Sequence, residues 1–317
     1  MLGVGFIYAL IFYIIGILGK TIHIRAILIF SLTFIEPFGF NWLKPELILI
    51  NSYFSTNLTL FALFLAVFTL HGKAYWKLLA FCVLILFSFL NTPQNSASLP
   101  LHVAIANVNL DQDKKWDKKY EKEVVEGNFN IIEKAIEEKK DLVILPESAF
   151  PLYLNLEEKM LFRLKKLSKK IAIFTGGLRV KDNRVFNSSY LFVNGTQEVA
   201  NKVLLVPFGE EIPLPQFATD FINKMFFNGA EDYKSAKDVH DFQIDGYQFR
   251  NAICFEATKD KLFADNPKQM IAISNNAWFT PSIEPTLQNL LLKLYAKRHN
   301  TTIYHSANFG ISGIIHP

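Results

Sequence analysis

Apolar and polar positions divide this chain into two unlike parts. The first 98 residues hold four apolar stretches: Gly3–Gly19, Ala26–Ile35 with an extension towards Leu43, Leu47–Leu70, and Leu78–Leu90. A membrane-spanning helix needs about 20 apolar residues. Leu47–Leu70 meets that length, the first and fourth are marginal, and Glu36-Pro37 interrupts the second. Four spans are expected rather than three. A cleaved signal peptide is the rival reading of the first stretch, but no basic n-region or small-residue cleavage site accompanies it.

Beyond the polar, proline-bearing linker Asn91–Pro100 the pattern changes to alternation. Strands are expected at Leu101–Val108, Asp141–Pro146 and Ile171–Thr175, the last closed by Gly176-Gly177. A hairpin follows from Val185 to Val199, turning at Asn194-Gly195, with further strands at Phe249–Cys254, Met270–Ser274 and Gly310–Ile315. Helices are expected at Lys114–Lys140, where Val124, Phe129, Ile132 and Ile136 recur at helical spacing, at Leu156–Lys170, and from Thr286 to His299. Such alternation implies a layered α/β domain over 99–317, behind a transmembrane domain over 1–98.

Composition sharpens the division. Half of the 317 residues are hydrophobic, and the mean hydropathy is +0.19. The first part carries only Lys20, Arg25, Lys44, Lys73 and Lys77 against Glu36 and Glu46. The rest is close to neutral, so the net charge of +4 gives no argument for nucleic acid. Basic residues also suggest an orientation: Lys20, His23 and Arg25 follow the first span, and Lys73 and Lys77 precede the fourth. Positive-inside bias puts both loops in the cytoplasm, and with four spans Met1 and the large domain then lie outside. The loop from Glu36 to Leu47 would share that outer side, with Phe38, Phe40 and Trp42 as an interfacial belt or as packed core. Cys82 and Cys254 lie in different parts, which disfavours a disulfide.

Three groups carry candidate chemistry. Glu147 follows the apolar run Leu142–Pro146, at the strand end where α/β folds place functional groups. Taken alone it reads as a solvated loop carboxylate, but Ser148-Ala149-Phe150-Pro151 could bury it and suit it to general-base work. Lys202, alone a surface charge, leads an apolar segment through Pro207-Phe208-Gly209 to Glu210, which would keep it charged for oxyanion stabilisation. Cys254 ends a strand beside Phe255 and Glu256. A free cysteine is usually an inert small hydrophobe, yet a thiol whose proton Glu147 removes would attack acyl carbon, with the Phe255 N–H facing the oxyanion. None of the seven histidines has an evident partner, and no metal-ligand spacing appears.

In that order these residues resemble the nitrilase (carbon–nitrogen hydrolase) superfamily, whose triad is Glu, Lys, Cys. The likeness is closer to one branch, the apolipoprotein N-acyltransferases of Gram-negative bacteria. It rests on Leu145-Pro146-Glu147-Ser148-Ala149, the Lys202–Glu210 segment, Ile253-Cys254-Phe255-Glu256, Ser274–Phe279, and Ala307-Asn308-Phe309-Gly310-Ile311-Ser312, across roughly residues 35 to 317. The resemblance implies a four-layer αββα sandwich behind transmembrane helices in the bacterial inner membrane, with the catalytic domain periplasmic. It implies Glu147 as base, Cys254 as nucleophile and Lys202 as oxyanion cation. Glu210, Phe255 and Glu256 would support them, and Trp278, Phe279 and Asn275 would line the substrate site. The implied reaction is ping-pong transfer, without cofactor or metal. Cys254 would take the sn-1 acyl chain of a phospholipid, with phosphatidylethanolamine the expected donor, as a thioester, and pass it to the α-amine of diacylglyceryl-cysteine on an apolipoprotein. The run Phe217, Phe221, Ile222, Met225, Phe226, Phe227 would form an apolar arm against lipid, or a core helix.

Two departures stand out. Arg298, Thr301 and His305 occupy positions where the family carries one Glu and two Arg. The chain also stops at Pro317, where the family continues through more sheet and a last membrane helix, so the domain is expected to lack its C-terminal end. A membrane-tethered amidase using the same triad, or an inactive scaffold, are the rival readings.

Overall fold

A computed structural model describes residues 2–42, 44–90, 99–211 and 233–317. The expected linker, apart from Leu99 and Pro100, and the run Phe217 to Phe227 lie outside the described residues. The chain divides into two compact units, Met1–Gln94 and Asn95–Pro317.

In the first unit, helices form where the apolar stretches lie: α1 (Leu2–Leu18), α2 (Ile22–Leu32), α3 (Leu58–Thr69) and α4 (Ala74–Leu90). The stretch Leu47–Leu70 is not one helix, contrary to expectation. A 3-10 turn at Pro45–Leu49 and an irregular segment precede α3. Asn57 then caps α3, its Oδ1 accepting the N–H groups of Thr59 at 2.9 Å and Leu60 at 3.4 Å. Polar Asn51, Ser52, Ser55 and Asn57 compete for the backbone and break what hydrophobicity alone would join. Among the described residues no helix is long and apolar enough to cross a membrane.

The rings of His23 and His71 stack at 5.4 Å, so the two basic loops meet at one end of this unit. Phe40 is buried and packs on Trp42, while Phe38 is exposed. Lys44 is buried and donates to Glu36 at 2.9 Å and to the Thr33 carbonyl at 3.0 Å.

The second unit is an αββα sandwich. Strands β1 (Val103–Ile105), β3 (Leu142–Ile144), β5 (Ala172–Lys181), β6 (Arg184–Val193) and β7 (Thr196–Asn201) make one sheet in that order, with β4 (Phe150–Tyr153) on β5. The second sheet runs β12 (Gly313–Ile315), β11 (Thr302–Asn308), β10 (Gln269–Asn275), β9 (Tyr247–Ile253) and β8 (Asp241–Ile244), with β2 (Asn107–Val108) on β11. Alternation assigns the faces. Leu142, Ile144, Ala172 and Phe174 point to the second sheet and meet Phe249, Ile253, Ile271 and Ile273. Val143, Leu145, Ile171 and Ile173 point outward onto α6 (Glu121–Glu137) and α7 (Glu158–Leu167). The outer layer of the second sheet includes α8 (Glu284–His299).

Several expected elements differ. Leu101–Val108 is two strands, because Ala106 donates its N–H to Ile144 in one sheet and its carbonyl accepts from Ser306 of the other. The expected helix Lys114–Lys140 is α5 (Gln112–Trp116) followed by α6, parted at Asp117–Tyr120. β5 does not close at Gly176-Gly177 but continues to Lys181 and turns through Asp182-Asn183, both at positive φ, into β6. The last strand begins at Gly313 rather than Gly310, and β11 is not among the expected strands.

Candidate active site

Each candidate follows a strand end. Glu147 lies beyond β3, Lys202 directly after β7, and Cys254 directly after β9. All three are buried. Cys254 has φ +57 and Ser148 φ +48, so the chain turns sharply at both the thiol and the carboxylate. Gly176 allows the approach on the carboxylate side: a Cβ there would lie 2.5 Å from the Ser148 nitrogen and 2.8 Å from Glu147 Cα.

Lys202 is 0% exposed and sits between two carboxylates, with Nζ 2.8 Å from Glu210 Oε2 and 3.9 Å from Glu147 Oε1. Burial alone would discharge it. Glu210 and then Glu147 outweigh that penalty and hold its pKa above the usual lysine value. Burial pushes the Cys254 thiol well up, the negative charge of Glu147 adds to this, and Lys202 opposes it. The resting sulfur is therefore a thiol that needs a base.

Glu256 ties the nucleophile to the lysine segment. Its Oε1 accepts from Ile253 N–H at 2.8 Å, and its Oε2 accepts from Val203 and Leu204 N–H at 2.8 and 3.0 Å. Burial raises its pKa to about 7 against the pull of Lys202 and those amides.

The expected substrate residues fall differently. Trp278 is 65% exposed and Phe279 is half-buried. Asn275 is buried, donating to Gln112 at 2.9 Å and accepting from Asn308 at 2.8 Å, so its side chain is engaged in joining β10 to β11 and α5. His305 does have partners, contrary to the sequence reading. Its ring nitrogens lie 2.8 Å from the Ile311 carbonyl and 2.9 Å from Ser274 Oγ, and burial lowers its pKa to about 4, which leaves it neutral. Thr301 donates to the Pro267 carbonyl at 2.7 Å.

Four residues that local pattern did not mark complete the cluster. Asn187 of β6 donates to Glu147 at 2.7 Å and to Glu210 at 2.9 Å. Lys115 of α5 is buried and donates to the Glu147 carbonyl at 2.8 Å, burial lowering its pKa to about 8. Gln288 of α8 donates to the Cys254 sulfur at 3.8 Å. Glu284, one turn earlier, is buried near enough to feel the charge of Glu147, and burial first of all raises its pKa to about 8. Only its spacing of four from Gln288 on one helical face could have flagged it. Among the described residues no group of His, Cys, Asp or Glu could hold a metal ion.

A two-sheet α/β sandwich with a thiol, a lysine and carboxylates gathered beyond its strand ends is the frame of an acyl-chemistry enzyme. The same fold occurs in a glutamine-dependent NAD+ synthetase from Acinetobacter baumannii, at TM-score 0.50 and 16% identity over 66% of this chain and 38% of that one. Residues 1–92 match the family model described as the apolipoprotein N-acyltransferase integral membrane domain. An apolipoprotein N-acyltransferase from Wolinella succinogenes is 42% identical over 321 residues, covering 100% of this chain and 77% of that protein. One from Helicobacter pylori is 35% identical over 320 residues, covering 99% and 75%. This chain belongs to the apolipoprotein N-acyltransferase family.

Proposed function

We propose that the enzyme carries an acyl chain on Cys254 from a phospholipid to the N-terminal amine of a diacylated apolipoprotein. In the first half-reaction Glu147 takes the thiol proton and sulfur attacks the sn-1 ester carbonyl. Lys202 and the Phe255 N–H stabilise the oxyanion. The ester C–O bond breaks, Glu147 returns the proton to the departing lysophospholipid oxygen, and a thioester remains. In the second half the α-amine attacks that thioester, the C–S bond breaks, and Glu147 moves a proton from nitrogen to sulfur. Glu210 keeps Lys202 charged, Glu256 holds the thiol and lysine segments together, and Trp278 and Phe279 offer apolar contact to an acyl chain. Phosphatidylethanolamine is the donor we favour.

The same reading places the first unit in the bacterial inner membrane as four spans, with the catalytic domain periplasmic. Support comes from helices whose apolar side chains are exposed, among them Phe6, Tyr13, Leu78, Phe89 and Leu90. The two basic loops at one end of that unit fit a single cytoplasmic side.

The observation that carries the chemistry is the burial of Lys202 within 3.9 Å of Glu147, in a chain of this family. Incubation with labelled phosphatidylethanolamine tests it. A hydroxylamine-labile adduct should form on Cys254 and persist until a lipopeptide amine is added, and Cys254→Ala should abolish it. Rapid turnover into water would instead identify an amidase, and a folded protein that forms no adduct would identify a scaffold.

A further inference from the structure

Glu284 begins α8 and is 7% exposed, more than nine-tenths buried. Its Oε2 is buried and has no hydrogen-bond partner among the described residues. One turn along, Gln288 donates to the Cys254 sulfur at 3.8 Å and accepts from Asn276 at 2.9 Å. Residues four apart share a helical face, so Glu284 lies on the face of α8 that meets the thiol. Its charge acts on Cys254, and the charge of Glu147 acts on it. A carboxylate in a first helical turn ordinarily serves the helix dipole from an exposed position. Here it is desolvated within electrostatic reach of Glu147 with an acceptor atom left unused, an arrangement that costs stability unless a ligand supplies a donor.

The proposed reaction has an unassigned proton. The acceptor amine arrives as an ammonium with three protons, and the amide product keeps one. Glu147 moves one to sulfur, so the other must leave before nitrogen can attack. An α-ammonium has a pKa of about 7.7–8.0, and Glu284, raised to about 8 and so largely protonated at neutral pH, matches it as a proton acceptor once the ammonium charge draws it into the carboxylate form.

We propose that Glu284 receives the primary ammonium of the acyl acceptor through Oε2 and takes one of its protons. The ammonium and the Glu284 carboxylate become a free amine and a carboxylic acid. The amine then attacks the Cys254 thioester: the C–N bond forms, the C–S bond breaks, and Glu147 carries the remaining surplus proton from nitrogen to sulfur. Glu284 releases its proton to solvent once the amide has left. This inference rests on the reading under Proposed function. A primary ammonium also occurs in the phosphatidylethanolamine headgroup, and the test separates the two sources.

The full chain in detergent micelles is assayed as wild type, Glu284→Gln and Glu284→Asp. Thioester formation is measured from phosphatidylethanolamine and from phosphatidylglycerol, and transfer from the preformed thioester is measured to a synthetic diacylglyceryl-cysteine peptide. Glu284→Gln should lower transfer on the order of 10²-fold, and by at least about 10-fold more than it changes loading from either donor. KM for the peptide should rise, Glu284→Asp should recover part of the rate, and the melting temperature of Glu284→Gln should not fall. Unchanged transfer would overturn the inference. So would equal loss in both half-reactions, which marks a structural role, and so would a loss confined to phosphatidylethanolamine loading, which marks headgroup recognition. Failure of wild type to load or to transfer would instead overturn the proposed function itself.

Discussion

Asn187 Nδ2 donates to Glu147 Oε1 at 2.7 Å, and the same amide nitrogen donates to Glu210 Oε1 at 2.9 Å. The Asn187 carbonyl also accepts the Lys202 N–H at 2.9 Å. One β6 residue thus fixes two carboxylates and the lysine between them. Hydrogen bonds to charged groups contribute about 1.5–3 kcal/mol each. Asn187→Leu should slow thioester formation by roughly 10- to 100-fold, with a smaller effect on folding. Single-turnover loading of Cys254 measures it, and an unchanged rate would show that Glu147 holds its position without the amide.

Lys202→Met should be harsher. It leaves Glu147 and Glu210 buried with their shared cation gone, and breaking such a pair costs about 3–5 kcal/mol. Urea denaturation should show that loss. Glu210→Gln, which keeps an acceptor beside Nζ, should lose less stability and retain more activity. The two variants behaving alike would contradict the geometry.

Gly176→Ala tests the close approach of β5 to the carboxylate turn. The new Cβ would meet backbone at 2.5 Å, too close for any real contact, so Glu147 must shift. A loss of about 1–3 kcal/mol is expected from overpacking. Activity should drop further than stability explains, because a displacement of about 1 Å costs on the order of 10²-fold in rate. Melting curves beside loading rates separate the two.

Glu284 predicts an unusual pH dependence. Its folded pKa of about 8 lies above the unfolded value of 4.5, so the folded state binds more protons between those limits. Its contribution to stability is therefore greatest below pH 4.5 and is lost as pH rises towards 8. Glu284→Gln removes this titration, and with it the charge that Glu284 sets against Glu147 and Cys254. The variant should match wild type near pH 4.5 and exceed it at pH 8, by an amount on the order of a few kcal/mol. Melting temperatures across that range check it, and a constant difference would refute the shift.

Much of the second unit was legible because its strands are short apolar runs and α6 and α7 have a clear polar face. The β6–β7 hairpin could be read from Asn194-Gly195, which takes positive φ at both positions. The split of Leu101–Val108 could not, since Ala106 changes sheets only because Ile144 and Ser306 offer partners on opposite sides. Hydrophobicity also joined Leu47 to Leu70, where local polar side chains break the helix.

The amino-acid sequence by itself determined the division into an apolar and an alternating part, and it marked Glu147, Lys202 and Cys254, because strand ends and flanking residues are local properties. Tertiary structure decided how that chemistry is supported. Lys202 is held by Glu210, and Asn187 bridges the carboxylates. Lys115 holds the Glu147 backbone, Gln288 donates to the thiol, and Glu284 one turn earlier lies within electrostatic reach of it. Those residues lie far apart along the chain, with Asn187 40 positions from Glu147 and Gln288 34 from Cys254. Only the packing of two sheets and their helices removes the water between them and lets each charge set the protonation of the next.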